Sequence, residues 1–162
     1  YLDTFELVHK DKPDFKLEDR KLQYDVNMKF YFMHEQLARR VEDISNQQKI
    51  IREVKDKMKN KKNKMLAEDY LTQLEKLRST LLGTKQKSIF ADEKKLRELI
   101  SEAYGETVGE EQRPSNLVVE RVAGLQKDVD KADLDHKVLK EKYQDKFEAA
   151  IKKENIVREV KP

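Results

Sequence analysis

The sequence contains no cysteine and no tryptophan, and only four glycines and three prolines occur among its 162 residues. Without cysteine the chain has no disulfide framework, no thiol nucleophile and no thiolate metal ligand. No apolar run approaches the roughly 18 residues that a membrane-spanning helix needs, and no signal peptide is recognisable. Because so few helix breakers occur in a chain that is 41% charged, the composition favours long helices.

The charged residues are nearly balanced in sign, with 35 lysines and arginines against 32 aspartates and glutamates. A net charge of +3 gives no molecule-wide field of the kind that attracts nucleic acid. Apolar residues make up 37% of the chain, which is too much for a disordered chain and too little for a thick core. We therefore predict an all-α protein, an elongated antiparallel helical bundle with a long coiled-coil-like hairpin.

A repeat of apolar residues predicts a very long first helix. Pro13 disfavours helix at the preceding residue, so the helix starts after it. Apolar residues then recur at every seventh position: Phe30, Leu37, Ile44, Ile51 and Met58. Arg40 and Gln47 interrupt the companion positions of this seam, where apolar residues are expected. A seam with such polar breaks is typical of a helical bundle or a coiled coil.

The sequence pattern divides the chain into an extended segment with a linker, residues 1–13, and a helical bundle, residues 14–162. Within the bundle the apolar residues predict five helices, at about residues 15–59, 65–83, 91–104, 115–129 and 131–155. The first turn is predicted in "NKKNKM", at 60–65, and the last break near Asp130, where acidic residues interrupt the apolar pattern. Residues 1–8 are β-prone, which indicates the end of a preceding domain rather than the start of the bundle.

The motifs that could carry chemistry are incomplete. "HEQLA", at 34–38, lacks the second histidine of a zinc-protease helix, because residue 38 is alanine. "DVDKADLD", at 128–135, lacks the glycine and the glutamate of a calcium-binding EF-hand loop. The sequence also has no serine-centred nucleophile elbow and no glycine-rich phosphate loop. We therefore predict no catalytic residue, no cofactor and no metal site, so that this chain is not an enzyme.

Three consecutive aromatic residues in "MKFYFMHE" are candidates for an interface. On a helix Phe30, Tyr31 and Phe32 spread over about 200°, so one apolar stripe does not bury all three. Either the later helices of the chain cover this part of the first helix from several sides, or one ring docks on another domain or subunit. The second interpretation predicts an interaction surface at this point.

A lysine-rich stretch, "KDKMKNKKNK" at 55–64, forms the predicted tip of the hairpin and carries six lysines against one aspartate. Lys59, Lys61, Lys62 and Lys64 are either a solvated tip or a site for phosphate or anionic lipid. The stretch has no arginine and no aromatic residue for base stacking, which disfavours nucleic acid. This tip supports an alternative function, a free-standing coiled-coil module that contacts an anionic partner, either nucleic acid or lipid.

Two phrases carry a family resemblance that spans most of the chain at the level of pattern. "FELVHKDKP", near the start, and "RPSNLVVERVAGLQKDVDKAD", from residue 113, resemble the C-terminal helical region of bacterial BNR-repeat glycosyl-hydrolase-like proteins, the sortilin- or VPS10-like β-propeller group. Lys12 stands between Asp11 and Pro13 in the first phrase, and Val119 and Arg121 depart from the second.

The resemblance implies that any glycosidase-like chemistry belongs to an upstream β-propeller domain of the same polypeptide. No catalytic residue of the family maps onto this chain. The helical region is then a non-catalytic appendage that packs on the propeller or pairs two subunits as a homodimer. The resemblance also implies an extracytoplasmic location, either periplasmic or secreted.

Overall fold

The computed structural model describes residues 15–83, 94–109 and 112–157, and the predicted extended segment 1–13 lies outside this part of the chain. Every regular element of the described residues is a helix. The elements are α1 (Leu17–Lys57), α2 (Lys61–Leu81), α3 (Leu96–Gly105) and α4 (Asn116–Lys153). All four helices pack against one another. The prediction of an all-α helical bundle is confirmed.

The first two helices form an antiparallel hairpin. Gln48 Nε2 donates a hydrogen bond to Glu75 at 2.8 Å, and Lys55 forms an ion pair with Glu68 at 3.6 Å. The residue number rises along α1 between these contacts and falls along α2, so the two helices run in opposite directions. At 1.5 Å per residue, α1 is about 60 Å long and α2 only about half of that, so α2 covers just the second half of α1.

The third helix covers the first half of α1. The ring of Tyr104, in α3, lies 6.1 Å from the ring of Phe30, and Thr107 Oγ1, just after α3, donates to Asn27 Oδ1 at 2.5 Å. Because α2 and α3 follow each other along α1, they form one column of the bundle in two pieces. The predicted helix at 91–104 therefore corresponds to α3, with residues 91–93 outside the described part.

The fourth helix runs parallel to α1 along almost its whole length. Gln36 Nε2 donates to Asp133 at 2.7 Å, and the backbone N–H of Lys59 donates to Glu154 at 2.6 Å. The molecule is thus a three-column bundle: α1 runs up, α2 and α3 run down, and α4 runs up. The hairpin is antiparallel as predicted, and the parallel pairing of α1 with α4 follows from the up-down-up order.

Side-chain caps decide where α2 and α4 begin. Asn60 Oδ1 accepts hydrogen bonds from the N–H groups of Lys62 and Asn63, so α2 starts at Lys61. Its predicted start at residue 65 is wrong by four residues, because the turn occupies only 58–60. Ser115 caps α4 by accepting from the N–H of Val118 at 3.3 Å, and this cap agrees with the predicted helix start at 115.

The predicted break between two helices near residue 130 is wrong. α4 continues without interruption from Asn116 to Lys153, over 38 residues. The apolar pattern fails there because Asp133 and His136 point towards polar side chains of α1, Arg40 among them, rather than because the helix ends. A helix needs no cap or bend to place a polar residue inward when a polar partner faces it.

The core is a continuous stripe of apolar side chains from all four helices. The five residues of the predicted seven-residue repeat, four in α1 and Met58 directly after it, are each at most 2% exposed, which confirms that this repeat forms the core-facing seam. In the half built with α2, Tyr70 stacks on Tyr143 with ring centroids 5.0 Å apart. The Tyr143 hydroxyl donates to Asp69 at 2.5 Å, so its polar group is paired.

Candidate functional site

A layer of polar side chains connects α1 and α4 at the edge of the core, beside an open groove. We call it the polar layer, and its members are Gln36, Arg40, Gln47, Asp133 and His136. Arg40 Nε donates to Asp133 Oδ1 at 2.6 Å, while Gln36 donates to the other carboxylate oxygen. Arg40 Nη1 lies 2.6 Å from His136 Nδ1, and His136 Nε2 lies 2.9 Å from Gln47 Oε1.

The partners of His136 fix its tautomer. Arginine only donates hydrogen bonds, so Nδ1 accepts from Arg40 and Nε2 carries the proton that it donates to Gln47. His136 is 1% exposed, and burial, followed by the nearby charge of Arg40, lowers its pKa. The neutral imidazole is therefore the form that fits this layer.

Asp133 is held in its charged form by the same contacts. Burial alone raises its pKa, but the hydrogen bonds from Arg40 and Gln36 outweigh burial, and the net effect lowers the pKa of Asp133. Every member of the polar layer bonds to another member. The layer is therefore a hydrogen-bonded network that links α1 to α4.

The aromatic triplet separates into one core residue and two surface residues. Phe30 is fully buried against α3, so it belongs to the core of this chain and not to an external interface. Tyr31 is 52% exposed and Phe32 is 55% exposed. Their rings pack edge to face at 5.6 Å, which holds both on the outside of α1.

The two exposed rings belong to a larger apolar surface. We call it the outer aromatic face, and its members are Leu17, Tyr24, Met28, Tyr31 and Phe32. All are exposed except Met28, which is partly buried. At 100° per residue they project within about a 100° arc, on the side of α1 opposite the core. Sequence analysis missed Leu17 and Tyr24, although their spacing of seven from each other and from Tyr31 was a visible signal.

The lysine-rich tip is exposed as the sequence indicates. Lys59, Lys61, Lys62 and Lys64 all present their side chains to solvent around the turn between α1 and α2. Glu154 stabilises the turn itself, because its carboxylate accepts from the backbone N–H groups of Lys59 and Asn60.

Glu154 brings the end of α4 to the same place. Its other carboxylate oxygen accepts from Asn63 Nδ2 at 2.5 Å. The hydrogen bond from Asn63 and those from the turn lower the pKa of Glu154. Lys152 and Lys153, in the last turn of α4, are exposed beside this contact. Sequence analysis missed them as members of the tip because about 90 residues separate them from it.

Comparison of the chain with protein-family models, with curated proteins and with solved structures finds no significant match. The relationship to BNR-repeat proteins therefore stays a prediction. No helix among the described residues is long and apolar enough to cross a membrane. Within the same three stretches of chain, no group of three histidine, aspartate or glutamate side chains converges in a way that could hold a metal ion.

Proposed function

We propose that this chain is a non-catalytic interaction domain that self-associates through the outer aromatic face. The observation that carries the proposal is the pair Tyr31 and Phe32, two large rings that stay more than half exposed on a rigid helix. Single exposed apolar residues are common, but a contiguous exposed patch marks an interaction site. Aromatic side chains are also enriched at the centres of protein interfaces.

A second copy of the chain fits this face because the face is self-complementary. When two α1 helices lie antiparallel about a two-fold axis at Met28, residues at equal distances from Met28 lie opposite each other. Tyr24 of one copy then lies opposite Phe32 of the other. An interface of this isologous kind uses the same patch on both subunits. It covers Tyr24 and Phe32 of each copy.

The charged residues at the border of the face agree with the same arrangement. Lys21 and Glu35 lie seven residues on either side of Met28, so the two-fold axis brings a lysine opposite a glutamate at both ends. Glu35 bonds to Arg39 within the free helix, in an exposed pair. Exposed pairs contribute at most about 1 kcal/mol, so this one is readily exchanged on association.

An upstream β-propeller, as the sequence resemblance implies, is the second candidate for the partner. The outer aromatic face supports it because the face begins at Leu17, the first residue of α1, which is the end of the helix nearer in sequence to an upstream domain. A domain tethered there would be held at a high effective concentration near the face. In that case the same rings would pack on the propeller and the isolated chain would stay monomeric.

Light scattering coupled to size-exclusion chromatography distinguishes these partners. We expect the isolated chain to be dimeric at micromolar concentrations and the Tyr31→Ser/Phe32→Ser variant to be monomeric with unchanged helix content. Leu134→Ser/Val138→Ser is a matched control, because it removes two similarly exposed apolar residues from α4 and should leave the dimer intact. A wild-type chain that stays strictly monomeric at high micromolar concentration would refute self-association.

A further inference from the structure

Positive charge is concentrated at one end of the bundle. Residues 55–65 and 150–157 together contain eight lysines and two carboxylates, a net charge of +6, whereas the whole chain carries +3. Because Glu154 fastens α4 to the hairpin turn, the lysines of both segments lie at one place. We call the exposed ones the basic end: Lys57, Lys59, Lys61, Lys62, Lys64, Lys152 and Lys153.

The charges of the basic end are available to a partner. Lys55, the eighth lysine, is partly buried and pairs with Glu68. One carboxylate oxygen of Glu154 accepts from the backbone of the hairpin turn, and the other accepts from Asn63 in the first turn of α2. Asp56 is then the one carboxylate of residues 55–65 and 150–157 that makes no such hydrogen bonds. Across the described part of the chain, no ion pair involves any of the seven lysines of the basic end.

The composition of this end fits a lipid surface better than a nucleic acid. Residues 55–65 and 150–157 contain no arginine and no aromatic ring, so the groups that read base edges or stack on bases are missing. Instead, two exposed apolar side chains accompany the lysines: Met65 is 60% exposed and Val157 is 79% exposed. Peripheral membrane binding typically combines lysines, which bind headgroup phosphates, with apolar side chains, which enter the membrane interface.

The shape of the bundle also suits an end-on contact. The basic end lies at the tip of a rod, and Phe32 lies about 37 Å back along α1 from Lys57. A membrane surface at the tip therefore leaves the outer aromatic face free. The contact at the tip does not depend on the proposed self-association.

We propose that the basic end binds the surface of membranes rich in anionic phospholipid, with the lysines on the headgroup phosphates and with Met65 and Val157 in the interface. Each lysine near an anionic leaflet strengthens binding about fivefold. Loss of three of them should therefore weaken vesicle binding about 100-fold, and loss of two about 25-fold. Added salt should release the protein, because the attraction is screened.

Vesicle co-sedimentation of the full chain tests the proposal. The probes are phosphatidylcholine vesicles with and without one third phosphatidylglycerol, at low and at physiological ionic strength. The variant Lys59→Gln/Lys61→Gln/Lys62→Gln should bind the anionic vesicles about 100-fold more weakly, from the per-lysine effect above. Lys152→Gln/Lys153→Gln should bind about 25-fold more weakly, which a tip made by the hairpin alone would not predict.

A matched control has the same net charge as the triple variant but keeps the basic end. Lys127→Gln/Lys131→Gln/Lys137→Gln removes three exposed lysines from α4, away from both the basic end and the outer aromatic face, and should bind like the wild type. Circular dichroism should show unchanged helix content in all variants. Equal weakening in the control would overturn the proposal, because net charge alone would then explain binding. Absence of binding to anionic vesicles at low salt, or tighter binding to a single-stranded oligonucleotide than to vesicles, would also overturn it.

Discussion

Replacement of one partner of the Arg40–Asp133 pair should destabilise the bundle more than replacement of both. The two side chains meet at 2.6 Å and are 24% and 28% exposed. Loss of one partner from a fully buried pair costs about 3–5 kcal/mol, and solvent screening at this exposure reduces that cost to about 2–3 kcal/mol. We therefore expect Arg40→Leu and Asp133→Leu each to lower the free energy of unfolding by about 2–3 kcal/mol.

The double variant Arg40→Leu/Asp133→Leu removes both charges and fills the space with apolar groups. Such replacements are often close to neutral. The remaining cost is the loss of donors and acceptors for Gln36 and His136, which we expect to total about 1–2 kcal/mol. The double variant should thus be more stable than either single variant, with a coupling free energy of about 3 kcal/mol.

Urea denaturation followed by circular dichroism at neutral pH measures all four corners of this cycle. In a chain of this length a loss of 2–3 kcal/mol lowers Tm by about 5–10 °C, so thermal melts give an independent readout. If the double variant loses the sum of the two single losses, the pair does not act as a unit. If each single variant loses less than about 0.5 kcal/mol, the polar layer contributes no more than a surface ion pair does.

Three further predictions follow from the described contacts. Burial lowers the pKa of His136 and that of His34, so the unfolded chain binds more protons than the folded chain. The free energy of unfolding should therefore fall as pH drops through about 6.5. Urea titrations should show a weaker pH dependence of this free energy in His136→Gln. Asn60→Ala removes the cap of α2 and should cost about 1 kcal/mol by the same denaturation assay. Phe30→Ala should cost about 3–5 kcal/mol, whereas Phe32→Ala, a change at an exposed ring, should change the stability of the monomer by less than about 0.5 kcal/mol; comparable losses would contradict the separation of the triplet.

The core-facing seam of α1 could be predicted because it depends only on local periodicity. Residues seven apart on one helix share a face whatever packs against it. Phe30, Leu37 and Ile44 are accordingly buried, as the repeat indicates. The sequence also marked Arg40 and Gln47 as polar breaks in that seam.

The partners of those breaks could not be predicted from local pattern. Asp133 and His136 lie more than 85 residues further along the chain from Arg40 and Gln47. Asp133 is one of the acidic residues that predict a helix end near Asp130, and His136 has no partner nearby in the sequence. The polar breaks in α1 and the polar residues in α4 are partners of each other. Neither could be interpreted from its own stretch of sequence.

The surface sites also differ in whether they depend on local sequence or on contacts between distant residues. The lysines of the hairpin are contiguous in sequence and were identified, whereas Lys152 and Lys153 join them only through the contact of Glu154 with the turn. Tyr24 was missed for a different reason. The buried seam dominates the apolar pattern of α1, and a second apolar stripe on the opposite face becomes apparent only when burial separates the two.

The division of the middle column between α2 and α3 has a consequence for cooperativity. The continuous core has one compartment built on α2 and another built on the ten-residue α3, and only α1 and α4 pass through both. Local opening of the α3 compartment therefore needs no loss of the Tyr70–Tyr143 stack in the other compartment. In hydrogen exchange the amides of α3 should exchange through this smaller opening, while those of α2 should exchange only through global unfolding. The bundle then contains two cooperative units that share α1 and α4.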